Sequence, residues 1–260
     1  MKFVTYWETP SGGRMPPYVA MSLVSLKRAL GEEFVLLGPG DVTAAIGFDL
    51  ATRDWNFEHL EFSGAPAALS IVAKSDFIRM AYVSRNGGFW LDADTIAVAD
   101  PRPALVPAAC DTCLQWFNEA LFGAHAGNRL LQQAVSSGWI KERHTWGNPG
   151  GIRDLVEALP DQVAAIDGSL LDPGWRGPYR FATCEVMYDR DLPVEAFLTN
   201  PKLRLLKLYN TYFSRSAIGS MDVAAFLRSG TLLSRIFLHL SPDIDKWTSD
   251  CCELEASLRG

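Results

Sequence analysis

Apolar and polar positions alternate in blocks along the chain, and the blocks predict an order of strands and helices. Residues 2–7, Lys-Phe-Val-Thr-Tyr-Trp, form an apolar run expected to be a buried first strand. Pro16-Pro17 then open a segment in which Val19, Leu23, Leu26 and Leu30 recur at helical spacing, with Gly31 as its stop. Phe34-Val35-Leu36-Leu37, closed by Gly38-Pro39-Gly40, predicts a second buried strand. Strand, helix, strand in this order implies a parallel unit. A long helix is expected over residues 67–85, ended by Asn86-Gly87-Gly88, and Phe89-Trp90-Leu91 then predicts a strand that runs into Asp92-Ala93-Asp94. Further on, the pattern predicts extended structure at 96–98 and 114–117, helices at 128–135 and 150–159, and an ordered loop rich in Gly, Pro and aromatics at 172–188. With no internal repeat or linker, the reading is one α/β domain over residues 1–260.

Composition narrows the function classes. A hydrophobic content of 48% supports a sizeable core. A net charge of -6 and a pI near 5.3 offer no long basic face, so nucleic acid is not an expected partner. No stretch reaches the roughly 18–20 apolar residues of a membrane span, and the start lacks a signal-peptide pattern, so the expected compartment is cytoplasmic. Five cysteines, an odd number, are read as reduced thiols; Cys110 and Cys113 form a C-x-x-C pair without the second pair that structural zinc needs.

The acid pair Asp92 and Asp94 sits where a strand leaves the sheet, the favoured position for ligands in open α/β sheets. Two carboxylates one residue apart can reach one hard divalent cation, magnesium or manganese; the alternative is a solvated turn. On the preceding helix, Leu69, Val72, Asp76, Arg79 and Val83 follow one helical stripe, so two charged residues interrupt an apolar face. They are read either as a self-contained i, i+3 ion pair or as groups that hydrogen-bond a polar ligand such as sugar hydroxyls.

Residues 73–82, Ala-Lys-Ser-Asp-Phe-Ile-Arg-Met-Ala-Tyr, followed by 86–94, Asn-Gly-Gly-Phe-Trp-Leu-Asp-Ala-Asp, closely resemble the glycosyltransferase family with the sugar-binding DXD motif. This family includes initiating mannosyltransferases, capsular polysaccharide transferases and relatives of the clostridial glucosylating toxins. Residues 118–124, the turn Gly147-Asn148-Pro149-Gly150, and His239 followed by Trp247 resemble later parts of it; the first strand lacks the family's His-Gln-x-Trp pattern, though Tyr6-Trp7 ends it similarly. The resemblance implies a GT-A, Rossmann-like α/β fold with a mostly parallel central sheet, in which residues of about 200–260 complete the site. It implies a hexosyltransferase of polysaccharide biosynthesis that uses manganese or magnesium and retains anomeric configuration. Asp92 and Asp94 would be the catalytic and metal-binding pair with His239 as a further ligand, and Tyr6, Trp7, Asp76, Arg79, Asp92 and Asn118 would bind the donor. The implied donor is a UDP- or GDP-sugar, and the acceptor a glycan or a lipid-linked molecule met at the inner membrane face. Residues 138–150 and 172–190 are the loops expected to read that acceptor.

Two other readings remain open on sequence. Asp92-Ala93-Asp94-Thr95 also fits the opening signature of haloacid-dehalogenase-like phosphatases, with Asp92 as nucleophile; that reading further needs a downstream Lys and an acidic pair on a later strand, and Asp243-Ile244-Asp245 follows Ser-Pro without a strand pattern. A module that binds a nucleotide-sugar or carbohydrate without turning it over is the non-enzymatic alternative.

Overall fold

The structure, a computed structural model, describes residues 1–9, 12–47, 67–106, 111–141, 152–177, 185–213 and 216–258. In chain order its elements are β1 (Phe3–Tyr6), α1 (Pro17–Leu30), β2 (Phe34–Leu37), α2 (Val42–Ile46), α3 (Ala67–Asn86), β3 (Gly88–Leu91), β4 (Thr95–Ala97), β5 (Leu114–Asn118), β6 (Leu121–Ala124), α4 (Arg129–Lys141), α5 (Ile152–Ala158), β7 (Val163–Ala165), α6 (Val194–Phe197), β8 (Leu205–Lys207), α7 (Asn210–Phe213), α8 (Val223–Leu227), α9 (Leu232–Leu240) and α10 (Ile244–Ser257). They form two compact units. The first comprises Met1–Gly13, Glu33–Asp92 and Leu105–Ile166; the second comprises Arg14–Glu32, Ala93–Ala104 and Asp167–Gly260.

The first unit is built on a six-stranded sheet of order β2-β1-β3-β6-β5-β7. The expected parallel pairing of β1 with β2 is present, Phe3 facing Phe34 and Tyr6 facing Leu37. β1 also pairs parallel with β3 and β5 with β7, while β6 runs antiparallel to both its neighbours, so the sheet is mixed but mostly parallel. β2 is an edge strand, and this is why Phe34, Val35 and Leu36 are half-buried rather than fully enclosed. Alternation along the strands sets Val4, Trp90, Phe122 and Trp116 in one cross-strand row. That row packs with Phe77, Ile78 and Met80 of α3, Leu130 and Leu131 of α4 and Ile152 of α5.

α3 departs from the amphipathic expectation. Val72 is 52% exposed, whereas every residue from Asp76 to Ser84 is buried. The two charges are enclosed because that whole stretch is enclosed, not because they share an inner stripe. Leu69's side chain lies outside the described residues. The helix stops at Gly87 and Gly88, whose φ angles of 70° and 99° lie in the left-handed region. A Cβ on Gly88 would stand 2.5 Å from the carbonyl oxygen of Lys2, so only glycine lets β3 start this close to β1.

In the second unit α1 packs on β4, α8 and α10. It too is buried without a polar face from Pro17 to Leu26. Its serines satisfy themselves inside it: Ser22 and Ser25 donate to the carbonyls of Tyr18 and Ser22, both at 2.7 Å. Ser25 Oγ also accepts from the N–H of Ala97 in β4 at 2.9 Å. At the exposed end, the Arg28 guanidinium lies 3.9 Å from the ring centre of Trp247 in α10 and donates to Asp250 at 2.7 and 3.0 Å. β4 and β8 form a separate antiparallel pair, Thr95 facing Lys207. Among the described residues no helix is long and apolar enough to cross a membrane.

Candidate functional site

The chain leaves the first unit at Asp92 and enters the second at Ala93, so each acid is described with its own surroundings. Asp92 ends β3. Its backbone N–H donates to the carbonyl of Ala120 at 3.1 Å, and its Oδ1 accepts from Trp90 Nε1 at 2.8 Å. Arg79 of α3 reaches the same Oδ1 with Nη1 at 3.4 Å, pairs through Nη2 with Asp76, and donates through Nη1 to the carbonyl of Glu119 at 2.7 Å. One guanidinium therefore joins two carboxylates and the β5–β6 turn. The i, i+3 pair read from sequence exists, but it is open on its far side and continues to Asp92.

Asn118 shapes this turn, its Oδ1 accepting from the N–H of Ala120 at 2.9 Å. Glu119 belongs to the same corner: Oε1 is buried and accepts no hydrogen bond among the described residues, with Arg153 Nε 4.0 Å away. Arg79 Nε is likewise a buried donor without an acceptor. Unmet polar groups in such a place are the kind that a bound water or polar ligand satisfies.

At the end of β1, Tyr6 donates its hydroxyl to Glu8, and Lys74 Nζ lies 2.6 Å from the same carboxylate. Burial, reinforced by the Glu8 hydrogen bond and charge, pushes the Tyr6 phenol well above its ordinary value, so it stays a proton donor. Trp7 is half-buried rather than core and donates Nε1 to Thr9 Oγ1 at 3.0 Å.

Asp94 stands in the second unit, 6% exposed. Lys207 of β8 pairs with its Oδ1, the N–H of Asn210 donates to its Oδ2 at 2.7 Å, and the N–H of Leu208 donates to its carbonyl at 2.8 Å. Residues 207–210 thus meet this acid. His239, in the last turn of α9, is instead half-exposed, its Nδ1 3.7 Å from Glu195. Trp247 is core, donating to the carbonyl of Ser241 at 3.0 Å. Asp243 caps α10 by accepting from the N–H of Lys246 at 2.9 Å, and Asp245 lies in that helix's first turn, so this pair is not at a strand end. Cys110, Cys184 and the 147–150 turn lie outside the described residues.

Two carboxylates suit a magnesium or manganese ion that draws its remaining oxygens from water and phosphate. Their resident partners are themselves cations, Arg79 for Asp92 and Lys207 for Asp94. Among the described residues no group of three or more His, Cys, Asp and Glu converges on one point.

Sequence reasoning missed Lys207. Its signal was a lysine set in the run Leu205-Leu206-Lys207-Leu208, where an enclosed ammonium calls for a counter-charge.

No protein-family model matches the chain, and no curated protein matches it. Among solved structures it is similar to the glycosyltransferase GlyE of Streptococcus pneumoniae TIGR4, at 13% sequence identity and a TM-score of 0.45. The likeness covers 98% of this chain, which spans 63% of the length of that one.

Proposed function

We propose that the protein is a glycosyltransferase that moves a sugar from a nucleotide-diphosphate sugar to a hydroxyl acceptor. The observation that carries this reading is the Asp76–Arg79–Asp92 chain of charges at the carboxyl end of β3, together with the unmet Arg79 Nε and Glu119 Oε1 beside it. Neighbouring fixed donors and acceptors match the alternating donor and acceptor character of sugar hydroxyls. In this reading Asp76 and Arg79 orient the donor sugar, while Tyr6 and Trp7 are placed at the end of β1 for the nucleotide. Asp92 and Asp94 would hold a magnesium or manganese ion, which supplies Lewis-acid stabilisation of the leaving diphosphate. Arg79 fixes the orientation of Asp92 throughout, and Lys207 balances Asp94 until that charge is shared. Retention of configuration and a glycan or lipid-linked acceptor belong to the same proposal.

The test is thermal unfolding of the wild type and Asp92→Asn with UDP, GDP and their sugar conjugates, with and without manganese, followed by assay of released sugar. A ligand at a hundredfold excess over its Kd stabilises by about 2.7 kcal/mol. The reading expects one nucleotide series to stabilise the wild type in a manganese-dependent way, and Asp92→Asn to lose both stabilisation and sugar release. If no nucleotide stabilises the wild type and a simple phosphate ester is hydrolysed instead, the phosphatase reading replaces it.

A further inference from the structure

We propose that Tyr209 and Tyr212 form a stacking platform for the acceptor sugar, a hexopyranose ring, held next to Asp94. The proposal rests on the transferase reading above for the word acceptor, but its geometry stands within the second unit alone. Tyr209 and Tyr212 flank Asn210 along the chain, and the N–H of Asn210 donates to Asp94 Oδ2 at 2.7 Å. The segment that carries both rings is therefore tied to the acid by its own backbone. Lys207, which pairs with Asp94, stands 5.3 Å from the ring centre of Tyr209, so the pair and the platform share one support.

The two rings are exposed where exposure is unusual. Tyr209 is 38% and Tyr212 59% exposed, and Tyr188, 36% exposed, packs tilted against Phe213 with ring centres 6.1 Å apart. Phe213, in the same helix as Tyr212, is buried and packs against Tyr18 with ring centres 5.3 Å apart. Three of the seven large apolar side chains exposed among the described residues thus gather around α7, and such gathered exposure marks a binding surface. Nothing in core packing requires the Tyr212 ring to face solvent.

The arrangement selects among aromatic-binding ligands. The rings meet edge to face, with centres 6.5 Å apart and planes at 75°. A flat nucleobase sandwiched between two aromatic faces needs them parallel, which these are not. A puckered pyranose suits the corner: the apolar face of axial C–H groups lies on the Tyr212 ring, and the phenolic hydroxyls exchange hydrogen bonds with the ring's equatorial hydroxyls.

Saturation-transfer NMR with the methyl α- and β-pyranosides of glucose, galactose and mannose tests this on the full chain. The expected result is saturation of axial ring protons in at least one glycoside with the wild type. Tyr212→Ala should weaken binding about tenfold, the scale of one aromatic stacking contact, and Tyr212→Phe, which keeps the ring face and loses only its hydroxyl, should weaken it less. Because Tyr212 is more than half exposed, its truncation does not threaten the core. No saturation of any glycoside by the wild type, or unchanged binding by Tyr212→Ala, overturns the platform. A parallel titration of UDP and GDP with manganese separates the two proposals. Nucleotide binding without glycoside binding sinks the platform alone. Tyr212-dependent glycoside binding without nucleotide binding upholds the platform and sinks the transferase reading.

Discussion

Replacing Lys207 by methionine tests whether the enclosed charge at Asp94 is balanced from within the protein. The two side chains are 10% and 8% exposed, so methionine fills a similar volume but leaves a carboxylate enclosed without its cation. Removing one member of a buried pair costs about 3–5 kcal/mol, because the remaining charge keeps its desolvation penalty. Asp94 retains the N–H of Asn210, which places the expected loss at the lower end, about 3 kcal/mol. For a chain of this size that is a fall in Tm of roughly 6–12 °C. Asp94→Asn alone strands the ammonium instead, whereas Lys207→Met combined with Asp94→Asn removes both charges and should return to within about 1 kcal/mol of wild type. Urea unfolding of the four proteins reads the cycle. If manganese and Lys207 compete for Asp94, the ion raises the midpoint of Lys207→Met more than that of the wild type. A Lys207→Met protein within about 0.5 kcal/mol of wild type, or single losses that simply add in the double variant, refutes the reasoning.

Two further predictions follow from single contacts. Arg79→Lys keeps the charge but replaces a forked guanidinium by one ammonium that cannot serve Asp76, Asp92 and the Glu119 carbonyl together. The expected loss is about 2 kcal/mol by urea unfolding, and an unchanged midpoint would show that the bridge is not needed. In α10, burial pushes the Cys251 thiol up to about 12, with Glu255 and Cys252 adding to the shift. The folded state then holds a proton that an ordinary thiol releases near 9.0, so the stability this confers is complete below that pH and is lost as pH rises toward 12. At pH 8 a thiol reagent read by peptide mass spectrometry should label exposed Cys252 in the folded protein and Cys251 only after unfolding; equal labelling would contradict the burial.

What could be read in advance was what neighbours in sequence decide. The run Phe89-Trp90-Leu91 gave a strand because its apolar side chains had to be enclosed, and Gly87-Gly88 gave its abrupt start. The acids at its end followed from that. Asp76 and Arg79 were singled out correctly as enclosed charges, though by a stripe that Val72 does not obey. What escaped were features made by distant pairing. The antiparallel β6 depends on a turn held by Arg79 and Asn118, and β7 is three residues with no pattern of its own. Lys207 meets Asp94 across 113 residues of sequence, a separation at which periodicity says nothing. His239, named from the resemblance as a further metal ligand, lies at the end of α9, half in solvent beside Glu195.

The second unit's first helix has a consequence for synthesis. α1 is enclosed on all sides over ten residues, yet α8 and α10, which cover it, lie roughly two hundred residues later in the chain. At the usual 5–20 residues per second a ribosome needs about 10–40 s to supply them. During that interval Tyr18, Val19, Met21, Leu23 and Val24 have β4 but neither α8 nor α10 as cover, and nascent chains arrested before α10 should be bound by chaperones that grip apolar segments. Arg28, stacked on Trp247 and paired with Asp250, then acts as the latch that closes only when α10 arrives.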